Sequence, residues 1–161
     1  MKFDDNLIKR LLTCEKEIVQ TPGNFKLVRG HYRLEFEMQS TDKEFYFVAY
    51  GRYNSVFPEN FSIGLRYYPR QEKGSFDILR CNGPHGEHKL SPHHTHFHIH
   101  KITTSAIESG LKEDCMIEIT DKYANFEDAL HFFVRYTKLK PDHIKSYFSD
   151  KNLQTELNFE N

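Results

Sequence analysis

The stretch Gly83-Pro84-His85-Gly86-Glu87-His88-Lys89-Leu90-Ser91-Pro92-His93-His94-Thr95-His96-Phe97-His98-Ile99-His100 decides how this chain is read. Seven of the ten histidines fall between His85 and His100. From His94 onward they alternate with Thr95, Phe97, Ile99 and Lys101, and strict alternation marks a strand with one buried face. The pattern predicts Phe97 and Ile99 in the core, with His94, His96, His98 and His100 in a row on the other face at ~6.6 Å per step. Gly83, Pro84, Gly86 and Pro92 mark a turn-rich connection leading into that strand.

Upstream, strand-like runs follow one another. In His31 to Gln39 the apolar side chains Tyr32, Leu34, Phe36 and Met38 alternate with polar ones. Glu44 to Tyr53 is apolar on both faces, Phe61 to Tyr68 alternates again, and Ser75 to Asn82 precedes the histidines. Short connections make such strands antiparallel neighbours. Arg66 and Arg80 are then expected to converge with the histidines.

Helices flank the strands. Phe3, Leu7, Leu11, Cys14 and Ile18 form one apolar stripe and predict a helix from about Asp4 to Gln20, ended by Thr21-Pro22-Gly23-Asn24. Asn125 reads as an N-cap for a helix running to about Lys140 and stopped by Pro141. Phe126, Leu130, Phe133, Val134 and Thr137 face inward on it, and Ile144, Tyr147 and Phe148 predict one further short helix. A short helical turn within Ser105 to Asp114 and an edge strand over Cys115 to Thr120 lie between. The fold class is α+β: one mostly antiparallel sheet of five to six strands, with an N-terminal helix and C-terminal helices packed on one face. The 161 residues are expected to form a single domain, 1–161. Within it, 1–24 form the first helix and turn, 31–104 the sheet, 105–150 a short strand and helices, and 151–161 a fraying tail.

Composition narrows the classes. The net charge of −1 argues against a strongly basic nucleic-acid coat, while leaving room for a local basic site. Three cysteines, Cys14, Cys81 and Cys115, are widely spaced and make neither a disulfide framework nor a C-x-x-C site. The first residues lack the basic and apolar regions of a signal peptide, and no apolar run approaches the ~18 residues of a membrane span. A cytoplasmic protein away from membranes is expected.

The histidine cluster has three readings. In the first, His85, His96 and His98 are acid and base catalysts, because an imidazole near pKa 6.5 both accepts and donates protons around neutrality. Arg66 and Arg80 bind a substrate phosphate beside His94 and His100. That kit suits ribonuclease-type cleavage without a cofactor. In the second, a divalent metal such as zinc sits on His96, His98 and His88, with His85 or Glu87 as further donors, in a metal-dependent hydrolase. Four in-line imidazoles span ~20 Å, so they cannot share one ion at ~2.1 Å. In the third, the histidines cover one another, bond to carboxylates such as Asp77, or form a subunit interface in a partner-binding protein.

Leu65-Arg66-Tyr67, then the turn Arg80-Cys81-Asn82-Gly83-Pro84-His85, then His96-Phe97-His98-Ile99 resemble the pattern of a group of small bacterial and prophage proteins. The helix at 126–133 is similar to that group's closing helix. The layout more loosely resembles TumE-type toxins, which carry a proline-histidine turn before a histidine-rich strand. Cys81 stands where the group often has Asp, and Glu87-His88 replaces an Asn-Pro-Asp-Gly turn. The resemblance implies a toxin–antitoxin or prophage setting and carries no activity of its own; joined to the histidine and arginine reading, it leads to the expectation of a toxin-like RNA-processing protein. Its expected partners are RNA or another phosphate-bearing substrate, an antitoxin or host protein, and a second copy in a homodimer.

Overall fold

The computed structural model describes residues 3–86, 92–110 and 116–149. Eight strands form one sheet in the order β1-β3-β4-β5-β6-β7-β8, with β2 also paired to β3. They are β1 (Lys16–Ile18), β2 (Lys26–Val28), β3 (His31–Ser40), β4 (Tyr46–Asn54), β5 (Phe61–Tyr68), β6 (Phe76–Asn82), β7 (His98–Lys101) and β8 (Met116–Ile119). Every named pairing is antiparallel, and β3 through β8 run as a meander. The helices are α1 (Asp5–Thr13), α2 (Thr104–Glu108), α3 (Phe126–Tyr136) and α4 (Pro141–Tyr147). The α+β class and the packing of terminal helices on the sheet are as expected, but the strands outnumber the predicted five to six because β1 and β2 are too short to show a period.

Alternation sorts the strands into two faces. On the inner face Phe36, Met38, Phe47, Ala49, Leu65, Cys81 and Ile99 are all 5% exposed or less. The helices complete this core. α1 contributes Leu7, Ile8, Leu11 and Leu12, and α3 contributes Ala129, Leu130, Phe133 and Val134. Gly51 lets Phe126 approach β4, since a Cβ there would lie 3.2 Å from the Phe126 ring. Asp4 and Asn125 cap α1 and α3 by accepting from the backbone N–H groups of Leu7 and Asp128.

Three predicted elements end differently. The first helix stops at Thr13 rather than Gln20, and Lys16–Ile18 pair with Met38–Ser40 instead. The break is held by Lys16, whose fully buried Nζ donates to the carbonyls of Cys14 (2.9 Å) and Thr137 (2.8 Å), with Leu12 O at 3.4 Å. These carbonyls, in the last turn of the first helix and just beyond the helix ends, gain a donor there. The third helix ends at Tyr136, and Pro141 opens α4 rather than closing α3. A proline fits the first helical turn because its missing N–H has no partner there.

The third difference concerns the histidines. The strand begins at His98, not His94, and residues Pro92–Thr95 form a short 3-10 turn. β6 runs out of ladder at Asn82, the partner of His98. Beyond it, Gly83 turns against β5, where a Cβ would lie 1.9 Å from Glu59 O, and Pro84 has no N–H to donate. Thus the row of four imidazoles is replaced by a folded-back segment. No helix among the described residues is long and apolar enough to cross a membrane.

Candidate functional site

The outer face carries its side chains in two rungs fixed by register. One runs Arg33, Arg52, Ser62, Asn82, His98 across β3 to β7, and the next runs Glu35, Tyr50, Gly64, Arg80, His100. At the β7 end the polar groups are deeply set: Asn82 is 4% exposed, His98 0% and His100 7%. At the β3 end Arg33, Glu35 and Arg52 are exposed.

Four imidazoles meet at the buried end. Ring centroids are 4.2 Å apart for His85 and His94, 5.2 Å for His85 and His98, 5.9 Å for His94 and His98, and 5.0 Å for His98 and His100. His85 is exposed and His94 half-buried, so both face solvent above His98. The backbone clamps this arrangement through His85 N–H donating to His94 O at 2.9 Å. His98 Nδ1 lies 2.7 Å from His96 O, and a carbonyl only accepts, so the proton sits on Nδ1. Nε2 then offers its lone pair toward Asn82 Nδ2, 3.4 Å away. The Tyr123 hydroxyl lies 2.7 Å from His98 O and 3.2 Å from Asn82 O and locks the two strands from the core side. Burial pushes that phenol far up, so it stays a donor.

Arg80 joins the histidines to the rest of the face. Its Nη2 is 3.5 Å from His100 Nδ1, its cross-strand neighbour. Arg66 is gripped by Asp77 through Nε–Oδ1 at 2.8 Å and Nη2–Oδ2 at 3.4 Å, and this bonding raises its pKa further. A β-bulge between Leu65 and Arg66 sets the pair opposite one another. Asp77 is therefore the partner of Arg66, not of a histidine. The Arg66 guanidinium lies 5.3 Å from the Tyr50 ring. Gly64 makes room for that ring, since a Cβ there would come within 2.3 Å of it. Arg33, Arg52, Arg66 and Arg80, with Tyr50, Ser62 and Glu35, line a cleft of about 270 Å³.

Of the residues expected at the site, the structure brings together His85, His94, His98, His100 and Arg80, with Arg66 in the adjoining cleft. It does not bring in His96, whose exposed ring sits beside Thr95 Oγ1 at 3.0 Å. The 3-10 turn rotates it away from the position that strand alternation assigns. Glu87 and His88, named for the metal reading, lie outside the described residues, as do Cys115 and the tail 151–161. Among the described residues no three His, Cys, Asp or Glu side chains are placed to hold one metal ion. Sequence reasoning missed Arg33, Arg52, Tyr50, Asn82 and Tyr123. Arg33 stood on the polar side of a predicted strand, Tyr50 and Arg52 stood in a strand read as apolar on both faces, and only the register aligns the three with the histidines. No protein-family model matches the chain, and no curated protein or solved structure matches it either.

Proposed function

We propose that the chain is a metal-independent, ribonuclease-type RNA-processing enzyme, cytoplasmic, and of a toxin–antitoxin or prophage system as the Arg80–His85 turn implies. One observation carries this reading: Arg80 stands against His100 at 3.5 Å, beside a group of four touching imidazoles. A guanidinium that binds phosphate is thereby placed next to groups that move protons. His85 and His94 reach solvent, and one of them takes the proton of a ribose 2′-hydroxyl. O2′ then bonds to phosphorus, the P–O5′ bond breaks, and the other imidazole, as imidazolium, gives its proton to O5′. The products are a 2′,3′-cyclic phosphate and a free 5′-hydroxyl. Arg80 stabilises charge on the non-bridging oxygens, while His98 and Asn82 hold the rings from below.

Purified protein incubated with single-stranded RNA tests this. Cleavage leaving cyclic phosphate ends is expected, with His94→Ala slower by about 10²- to 10⁴-fold at unchanged melting temperature. RNA left intact, or cut equally by the variant, sinks the reading. A second reading is a partner-binding protein whose histidine end is an interface in a homodimer. It is favoured by the apolar edge strand β8 next to β7, where Met116 (46%), Ile117 (40%) and Ile119 (57%) are exposed. Light scattering decides it: a dimer dispersed by Ile119→Asp supports it, and a monomer at high concentration removes it.

A further inference from the structure

Arg33 and Arg52 are direct cross-strand partners at the far end of the His98 rung. Like charges placed opposite one another destabilise an antiparallel pair. Neither guanidinium has a hydrogen bond or ion pair among the described residues, so no carboxylate relieves the repulsion. Asp77 is committed to Arg66, and Glu35 on the next rung is the cleft's remaining carboxylate. Of the cleft's four arginines, Arg33 and Arg52 are therefore left facing solvent without an ion pair among the described residues, and the single Glu35 offsets only part of the cleft's positive charge. The rung connecting them to His98 runs through Ser62 and Asn82, which are short and buried, and the open cleft beside it is lined by Ser62, Arg66 and Arg80.

We infer that the two rungs form a track for single-stranded RNA several nucleotides long. The scissile phosphate lies at the Arg80–His94 end, and Arg52 and Arg33 hold phosphates on one side of it. The placement of the scissile phosphate rests on the ribonuclease reading; the track itself rests on the arginine pair. From β7 to β3 is four strand spacings, ~19 Å, longer than one nucleotide reaches. Tyr50 and Arg66 stand between the two ends and offer a ring and a guanidinium plane to an unstacked base. A duplex keeps its base faces hidden and cannot use them. This assigns Arg33, Arg52 and Tyr50 to substrate binding and makes the substrate an extended single strand rather than a mononucleotide or a helix.

Fluorescence anisotropy with a 12-nucleotide 2′-O-methyl RNA tests the track, because that probe lacks the hydroxyl needed for cleavage. Wild-type protein is expected to bind the single strand at least tenfold more tightly than the same sequence as a duplex. Arg33→Gln/Arg52→Gln is expected to weaken binding about tenfold and to lower the slope of log K against log salt by about 1.4, at ~0.7 per lost phosphate contact. Equal affinity and slope in the variant, or equal affinity for the duplex, overturns the track. Cleavage of ordinary RNA of the same sequence is scored separately. Binding without cleavage would remove the ribonuclease reading and leave the track standing, whereas cleavage with variant binding unchanged would do the reverse.

Discussion

The two faces of this sheet share one backbone ladder and differ in everything else. Phe47 and Ala49 on β4 are fully buried, while Tyr50 beside them is half-buried and Arg52 is exposed. The inner face removes aromatic and aliphatic area from water and so supplies stability. The outer face tolerates an Arg33–Arg52 repulsion and encloses polar groups at its histidine end, neither of which favours folding. The difference teaches that the inner face holds the register, and the outer face spends part of that stability on aligning its side chains. Within the outer face a gradient runs from exposed arginines on β3 and β4 to buried imidazoles on β7.

The comparison breaks most sharply at Phe47. This ring is fully buried and contacts Tyr67 (5.7 Å) and the Lys16 ammonium (5.0 Å). Phe47→Ala is expected to cost ~3–5 kcal/mol in urea unfolding, whereas Arg52→Ala, five residues along the same strand and on the other face, should cost almost nothing. Comparable losses for the two would mean that the faces are not divided in this way.

Lys16 tests the inner face by pH. Burial drives its pKa down to about 8 from the ordinary 10.5. The folded state therefore binds fewer protons than the unfolded chain between those limits, and stability rises with pH there. Wild type should gain up to ~3 kcal/mol over Lys16→Met as pH climbs from 8 toward 10.5, read as the difference in melting temperature. Tyr53 works in the opposite direction, since burial pushes its phenol up to about 12. That contribution is present below pH 10 and is lost above it as unfolded tyrosine ionises. A flat difference between wild type and Lys16→Met would mean that Lys16 is hydrated.

Gly64 lies on the outer face, against the Tyr50 ring. In Gly64→Ala the new methyl must displace the Tyr50 ring, which is 2.3 Å from the Cβ position. A loss of ~1 kcal/mol is expected, with RNA affinity falling further than that figure implies. Unchanged affinity would remove Tyr50 from the track.

The smallest effect has an opposite sign on the two readouts. Arg33→Gln removes one member of the like-charged pair and is expected to stabilise the fold by ~0.2–1 kcal/mol while weakening RNA binding. Lower stability together with unchanged binding would make Arg33 an ordinary structural residue.

The sequence by itself determined the α+β class, the strands from His31 to Asn82, the Asn125 cap and the crowding of histidines, because these rest on local periodicity and on backbone chemistry within a few residues. Only tertiary structure decided that Lys16–Ile18 leave the helix, since strand pairing with β3 and the buried ammonium compete with a continuing apolar stripe. It also set the start of the histidine strand at His98, because β6 offers no partner beyond Asn82, and that sends His96 outward while folding His85 and His94 onto His98. The alignment of Arg33 and Arg52 with His98 lay beyond sequence reading for one physical reason. Alternation tells which face a side chain takes, but register, set by distant turns and the bulge at Leu65 and Arg66, tells which side chains on other strands it meets.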